Sequence, residues 1–186
     1  MKSNLDGNQA TISKSSGTCN IDYALIQDIN FTGGATFTST AYINIKNTTG
    51  LSGNIQSDRT LYWIGGNGNW SDASNWSSTS GGTGGECIPS PVDNVVFDAN
   101  SFSAPNQEVL IDAEQVFCRT MDWTLATNYP AFSNADENAI LHVFGSYRLT
   151  HNMTNNFDGK IFFRSENTGN QIQSNKALNY SFRGKL

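Results

Sequence analysis

The stretch AILHVFGSYRLTHNMTNNFDGKIFFR, Ala139 to Arg164, decides the fold. Two apolar runs, ILHVFG from Ile140 and KIFFRS from Lys160, are separated by a shorter run at Tyr147–Thr150 and by an Asn-rich turn. A third run of the same kind, YSFRGK, begins at Tyr180, so the chain comes back to one type of strand about every twenty residues. That interval fits one coil of a parallel β-solenoid, in which each coil buries its apolar side against the next. Short strands at such spacing also suit a β-sandwich. The solenoid is preferred because the connecting turns are Asn/Gly-rich and irregular in length, while tight hairpin signals are scarce. The expected fold is all-β: a right-handed parallel β-helix segment, with a β-sandwich as the alternative.

Working outward, further short runs read as strands at Ala10–Ile12, Ile21–Ile29, Ala35–Thr38, Ala41–Ile45, Leu61–Ile64, Asn94–Asp98, Glu108–Ile111, Gln171–Gln173 and Asn179–Phe182. Helical periodicity is nearly absent. The longest helical candidate, Asp112–Thr120, carries too much β-branched and aromatic character.

Charged residues make up only 15% of the chain, and 16 acidic against 11 basic residues give a formal net charge of −5. With no Lys/Arg cluster, the electrostatic attraction on which nucleic-acid binding depends is missing, and anionic membranes are equally poor partners. No apolar run approaches the roughly eighteen residues a membrane span needs, so no membrane insertion is expected. The N-terminal MKSNLDGNQATISKSSG has no apolar core and is not a secretory signal. A surface rich in Asn, Ser, Thr and Gly is nevertheless that of an extracellular β protein. The export signal is therefore expected elsewhere, or the chain is a piece of a longer one.

Residues 65–91 form the one long region without strand character, and WIGGNGNWSDASNW, Trp63 to Trp76, leads into it with three of the four tryptophans. Two readings fit. Exposed, coplanar Trp70 and Trp76 would stack on sugar rings. Buried, Trp63, Trp70 and Trp76 would close the open apolar end of a first coil, with neighbouring glycines letting the backbone approach. The second is expected, with Trp123 counted in the same structural cap. Cys87 and Cys118 are expected to form a disulfide in an oxidising compartment, worth about 3 to 4 kcal/mol by restricting the unfolded chain; the alternative is two buried thiols. Cys19 is expected to be a small buried apolar side chain.

No catalytic residue is expected. Asp93, Asp98, Asp112 and Asp122 could in principle supply a glycosidase carboxylate pair, but Asp93 and Asp98 stand in turn-forming contexts. The same two, with Asn94 and Asn100, are weak candidates for calcium, the only cofactor considered. His142 alternates with Leu141 and Val143 on a strand, His151 sits at a strand end, and neither has a nucleophile at motif spacing.

TLYWIGGNGNWSDASNWSSTSGGTGGECIPSPVDNVVFDANSF, Thr60 to Phe102, followed by CRTMDW from Cys118, resembles a repeat unit of very large adhesin-like surface proteins of Bacteroidota. These belong to the type IX secreted, gliding-motility-associated kind, with repeats that continue into β-helix-like rungs. Residues 1–58, through ISKSSGTCNIDYALIQDINFTGGATF, resemble the closing rungs of a preceding unit, and residues 59–186 the head and first rungs of the next. The resemblance implies a non-enzymatic structural or adhesive segment at the cell surface. Its partners would be neighbouring repeat units and surface glycans or proteins of a host or environment. The alternatives are a carbohydrate-binding β module using Trp70 and Trp76, and a fragment of a β-helix polysaccharide-degrading enzyme.

Overall fold

The computed structural model describes residues 1–22, 24–55, 58–165 and 168–174. The protein is built from β-strands, with no α-helix among the described residues and one 3₁₀ turn at Ala73–Asn75. It divides into two compact units, Met1–Ser57 and Asp58–Leu186.

The first unit is one parallel sheet of β1 (Ala10–Ser13), β2 (Thr18–Asn20), β3 (Ala24–Thr32), β4 (Thr36–Thr49) and β5 (Leu51–Ile55). The order is β1-β3-β4-β2, with β5 also on β4. Ala10 pairs with Ile29, and Ile29 with Thr48, so the same ladder position recurs every nineteen residues. The sequence suggests two strands at Ala35–Thr38 and Ala41–Ile45, but they are one long strand, along which β2 and β3 lie in turn. Ile26, Ile29, Phe31, Phe37 and Tyr42 form the core, and Cys19 packs against it half-buried.

Close approach of successive turns keeps this register. A Cβ on Gly50 (φ +77°) would stand 1.9 Å from the Phe31 carbonyl oxygen, so only glycine fits there. At another corner Gly7, Asp28 and Asn47 all adopt left-handed φ, of 76°, 55° and 48°. Short polar side chains tolerate this region because they can bond locally. Asp28 receives the Gly7 N–H at 3.0 Å and the Asn47 amide at 3.0 Å. Burial pushes the Asp28 carboxyl up. Hydrogen bonds from Asn47, Gly7 and Gln27, with the charge of Lys46, outweigh that and hold it below the usual carboxylate value.

The second unit continues with β6 (Thr60–Trp63), β7 (Gly68–Asn69), β8 (Trp76–Ser77), β9 (Asn94–Val96), β10 (Glu108–Ile111), β11 (Gln115–Cys118), β12 (Met121–Asp122), β13 (Ala131–Asn134), β14 (Ile140–Val143), β15 (Tyr147–Leu149), β16 (Thr154–Asn155), β17 (Lys160–Phe163) and β18 (Ile172–Ser174). They form three sheets, ordered β16-β13-β10-β7, β11-β14-β17 and β18-β15-β12-β9-β6-β8. From β9 onward the chain visits the three sheets in strict rotation. Ile140 pairs with Lys160 in a parallel ladder, the twenty-residue return of the opening stretch. The third return, at Tyr180, and the strand at Asn179–Phe182 lie outside the described residues. Among the described residues every strand pairing is parallel except β6 with β8, whereas a sandwich of hairpins would be antiparallel.

Alternation along each strand sends Val109 and Ile111, Val116 and Cys118, Leu141 and Val143, and Tyr147 and Leu149 inward. These side chains join one continuous buried core running from Leu61 to Ile161.

Candidate functional site

The tryptophan segment is built from its turns. β6 ends at Trp63, and residues 64–67 lead to β7, which pairs with β10 in another sheet. Asp72 then caps the 3₁₀ turn: its Oδ1 accepts the Ser74 N–H at 2.9 Å and the Ser74 hydroxyl at 2.7 Å. This short turn brings β8 back antiparallel to β6, pairing Trp63 with Trp76 and covering the edge of the first strand.

Asn75 shows why the segment is rich in glycine. A Cβ on Gly65 would lie 2.3 Å from its Oδ1, and one on Gly68 would lie 2.5 Å from its Nδ2. The Asn75 side chain thus occupies space that two side chains would otherwise fill. It donates from Nδ2 to the Asn69 carbonyl at 3.0 Å, and the Asn75 backbone carbonyl accepts the Ile64 N–H at 2.9 Å.

The tryptophans are buried. Trp63 and Trp76 are 0% exposed and Trp70 is 1% exposed. Their rings meet edge to face, Trp63 to Trp76 at 5.0 Å and Trp70 to Trp76 at 4.8 Å, the arrangement favoured by the ring quadrupole. Both burial costs are met by hydrogen bonds: the Trp63 indole N–H donates to the Gly66 carbonyl at 3.0 Å, and that of Trp76 to the Trp70 carbonyl at 2.9 Å. The sugar-stacking arrangement of Trp70 and Trp76 is therefore corrected. Their faces lie against other core rings, because the polar residues between them turn outward while the rings close over the first circuit. Trp123 is also buried, but it lies deeper than the other three: Phe97 separates them, stacked on Trp123 at a centroid distance of 3.6 Å. Phe102, Phe132 and Phe157 continue this aromatic column.

The expected bridge between Cys87 and Cys118 is also corrected: both thiols are free, as is Cys19. Cys118 is on the inward parity of β11 and fully buried, and burial pushes its thiol well up; Cys87 is exposed in the loop. One sulfur faces the core and the other solvent.

What fastens the long loop instead is Arg59, which the sequence reading passed over. Its Nε and Nη2 donate to the two carboxylate oxygens of Asp93 at 2.9 and 3.0 Å, and Nη1 reaches Glu86 at 3.4 Å. Asp93 further accepts the Ser90 N–H at 2.9 Å and the Ser90 hydroxyl at 2.7 Å. Burial raises the Asp93 carboxyl, but the hydrogen bonds from Arg59 and Ser90 and the Arg59 charge overcome it and hold it below its ordinary value. The Arg59 guanidinium is correspondingly raised, first by its hydrogen bond to Asp93. Backbone bonds complete the corner: Asn94 N–H to the Arg59 carbonyl, and Arg119 N–H to the Asp93 carbonyl, both at 2.7 Å. Arg119 also pairs with Asp58. Proximity of Ser90 and Asp93 in sequence was the available signal for a turn, but nothing local marks Arg59 as the partner.

Of the two calcium candidates, Asp93 has its oxygens occupied by Arg59 and Ser90, and Asp98 accepts the Asn100 N–H at 2.9 Å in an Asx turn. Among the described residues no three His, Cys, Asp or Glu side chains converge as a metal site. Asp112 accepts the Ser71 N–H and hydroxyl, and Asp122 accepts Thr124 and Arg148. The four aspartates thus sit in separate local networks. His151 is exposed. His142 is 5% exposed and lies in a stack on the β11-β14-β17 sheet, between Phe117 and Phe162. No helix among the described residues is long and apolar enough to cross a membrane. Comparison with protein-family models, curated proteins and solved structures found no match to this chain.

Proposed function

We propose that this chain is a structural and adhesive segment of a secreted or cell-surface repeat protein, of the Bacteroidota adhesin-like kind its motifs resemble. In this reading residues 59–186 are the head and first rungs of a right-handed parallel β-helix unit, and residues 1–58 are the closing rungs of the unit before it. The observation that carries the proposal is the strict rotation of β9 to β18 through three parallel sheets, begun by a buried tryptophan plug. A coil that starts a solenoid must cover its apolar cross-section, and Trp63, Trp70 and Trp76 with β8 supply such a cover. The polar motif residues Asp72, Asn75, Asp93 and Asp98 are used in turns and ion pairs, which favours scaffold over catalysis. Its partners would be neighbouring units of the same polypeptide and glycans or proteins of the surface it meets.

Two measurements test this. Beads carrying the full chain should be retained under flow on surfaces coated with polysaccharide or matrix protein, without release of reducing ends. Pulled singly, the second unit should unfold in one step approaching about 400 Å, the extended length of residues 60–174. Turnover of a polysaccharide, or unfolding in many small steps at low force, would overturn the reading.

A further inference from the structure

The outward face of the β11–β14–β17 sheet differs from the rest of this acidic protein. By register, Gln115, Ile140 and Lys160 form one outward column, and Phe117, His142 and Phe162 form the next. None of these six positions holds a carboxylate, in a chain with more acidic than basic residues. The rings of the second column are nearly parallel, Phe117 to His142 at 4.9 Å and His142 to Phe162 at 5.6 Å. Phe162 is the last ring of this stack among the described residues and is 38% exposed.

Arg164 follows Phe162 on the same face by alternation. Its Nε donates to His142 Nδ1 at 2.8 Å, and its guanidinium carbon stands 5.2 Å from the Phe162 ring centroid. With Nδ1 accepting, the imidazole carries its proton on Nε2, which faces Gln115 Oε1 at 3.2 Å. The guanidinium is thus held through Nε and lies over the Phe162 ring. Its two terminal nitrogens make no hydrogen bond or ion pair among the described residues, and neither does the Lys160 ammonium. A half-buried fork held beside an aromatic ring is prepared for a carboxylate, which it can take bidentately with little further loss of freedom.

We propose that this face binds an acidic polysaccharide carrying uronate residues. Arg164 takes one carboxylate, the open part of Phe162 meets the C–H face of a sugar ring, and Lys160 takes a second carboxylate further along the polymer. The Cα atoms of Lys160 and Arg164 are about 13 Å apart on an extended strand, a span that an extended oligosaccharide of a few residues covers. A peptide fits less well. Strand addition pairs along a sheet edge, whereas these side chains stand on the face of the sheet. The proposal deepens the adhesive reading and rests on it, but its test is separate.

The full chain should be run in native gels containing polygalacturonate, neutral dextran or poly-glutamate, with mobility normalised to matrix-free gels. Retardation is expected in polygalacturonate, not in dextran, and it should weaken steeply with salt. The double variant Lys160→Gln/Arg164→Gln should lose about tenfold or more in affinity. Phe162→Ala should weaken polygalacturonate binding several-fold and leave any poly-glutamate binding unchanged. Thermal melts should show both variants folded. No retardation, or equal retardation of the double variant, overturns the site. Equal binding of poly-glutamate with no effect of Phe162→Ala also overturns it, and reassigns the face to acidic proteins. If beads still adhere under flow while these gels fail, the uronate site falls and the adhesive reading stands.

Discussion

Trp76→Ala is the sharpest test of the plug. Trp76 is 0% exposed, meets Trp63, Trp70 and Phe97, and donates its indole N–H at 2.9 Å to a carbonyl. Burying a Trp removes about 150 to 250 Å² from water, which at about 25 cal/mol per Å² gives about 4 to 6 kcal/mol, an upper estimate because the unfolded chain already hides part of that area. Measured Trp→Ala losses of about 3 to 5 kcal/mol agree. We therefore expect about 4 kcal/mol. For a unit of this size each kcal/mol is worth about 3 to 5 °C, so calorimetry should show its melting temperature falling by roughly 12 to 20 °C. Leu125→Ala, at a residue 67% exposed, is the control and should stay within about 0.5 kcal/mol. Iodide should barely quench the native fluorescence, since none of the four tryptophans is more than 1% exposed. A shift no larger than that of the control, or native quenching close to that of unfolded protein, would refute the reasoning.

Further perturbations probe the same region. Asp93 has a lowered pKa when folded, so its stabilisation is present above the unfolded value of about 3.9 and is lost as pH falls through the lower folded one; Asp93→Asn should flatten that acid limb in pH-dependent urea melts, and an unchanged limb would contradict the ion pair. Gly65→Ala should destabilise by about 1 to 3 kcal/mol through the clash with Asn75, and Asn75→Ala should relieve part of it; a double-mutant cycle with no coupling would contradict the contact. With a maleimide probe, Cys87 should react in the native protein and Cys118 only after unfolding; a disulfide found by mass spectrometry without reduction would reverse the cysteine assignment.

The parts of the fold that were legible in the sequence are those with a period. Ile140–Val143 and Lys160–Phe163 are apolar runs that begin twenty residues apart, and their ladder has the spacing the runs suggest. β12 and β16 are two residues long and carry no readable pattern. β11 was obscured because Asp112–Thr120 mixes helical and strand preferences, and only pairing with β14 decides between them. The same limit governs the site. Parity along β11 could have placed Cys118 beside Val116 on the inward side, against a bridge to a loop cysteine. Arg59 and Asp93 are 34 residues apart, and their contact exists only because successive circuits stack at that corner. A glycine-rich segment has no periodicity, so WIGGNGNWSDASNW could not declare whether its rings face inward.

That segment also bears on where binding chemistry should be sought. Gly65 and Gly68 make room for Asn75, Asn75 holds the reversal, Asp72 shapes the turn, and the three indoles fill the end of the core. Each of these residues is thereby committed to the fold, and a group so committed cannot also meet a ligand without opening it. Sheets assembled this way leave their outward strand positions free to vary in chemistry, because their backbone ladders form whichever side chain is present. Recognition on such a protein belongs on those faces, as with Lys160, Phe162 and Arg164, where cations and an exposed ring lie beyond the core. The Trp plug and the outward face should therefore respond independently: Trp76→Ala should lower the melting temperature without altering polygalacturonate affinity below the transition, while Arg164→Gln should do the reverse. Coupling between the two would mean that the face is shaped by the plug, and that scaffold and recognition are not separable in this fold.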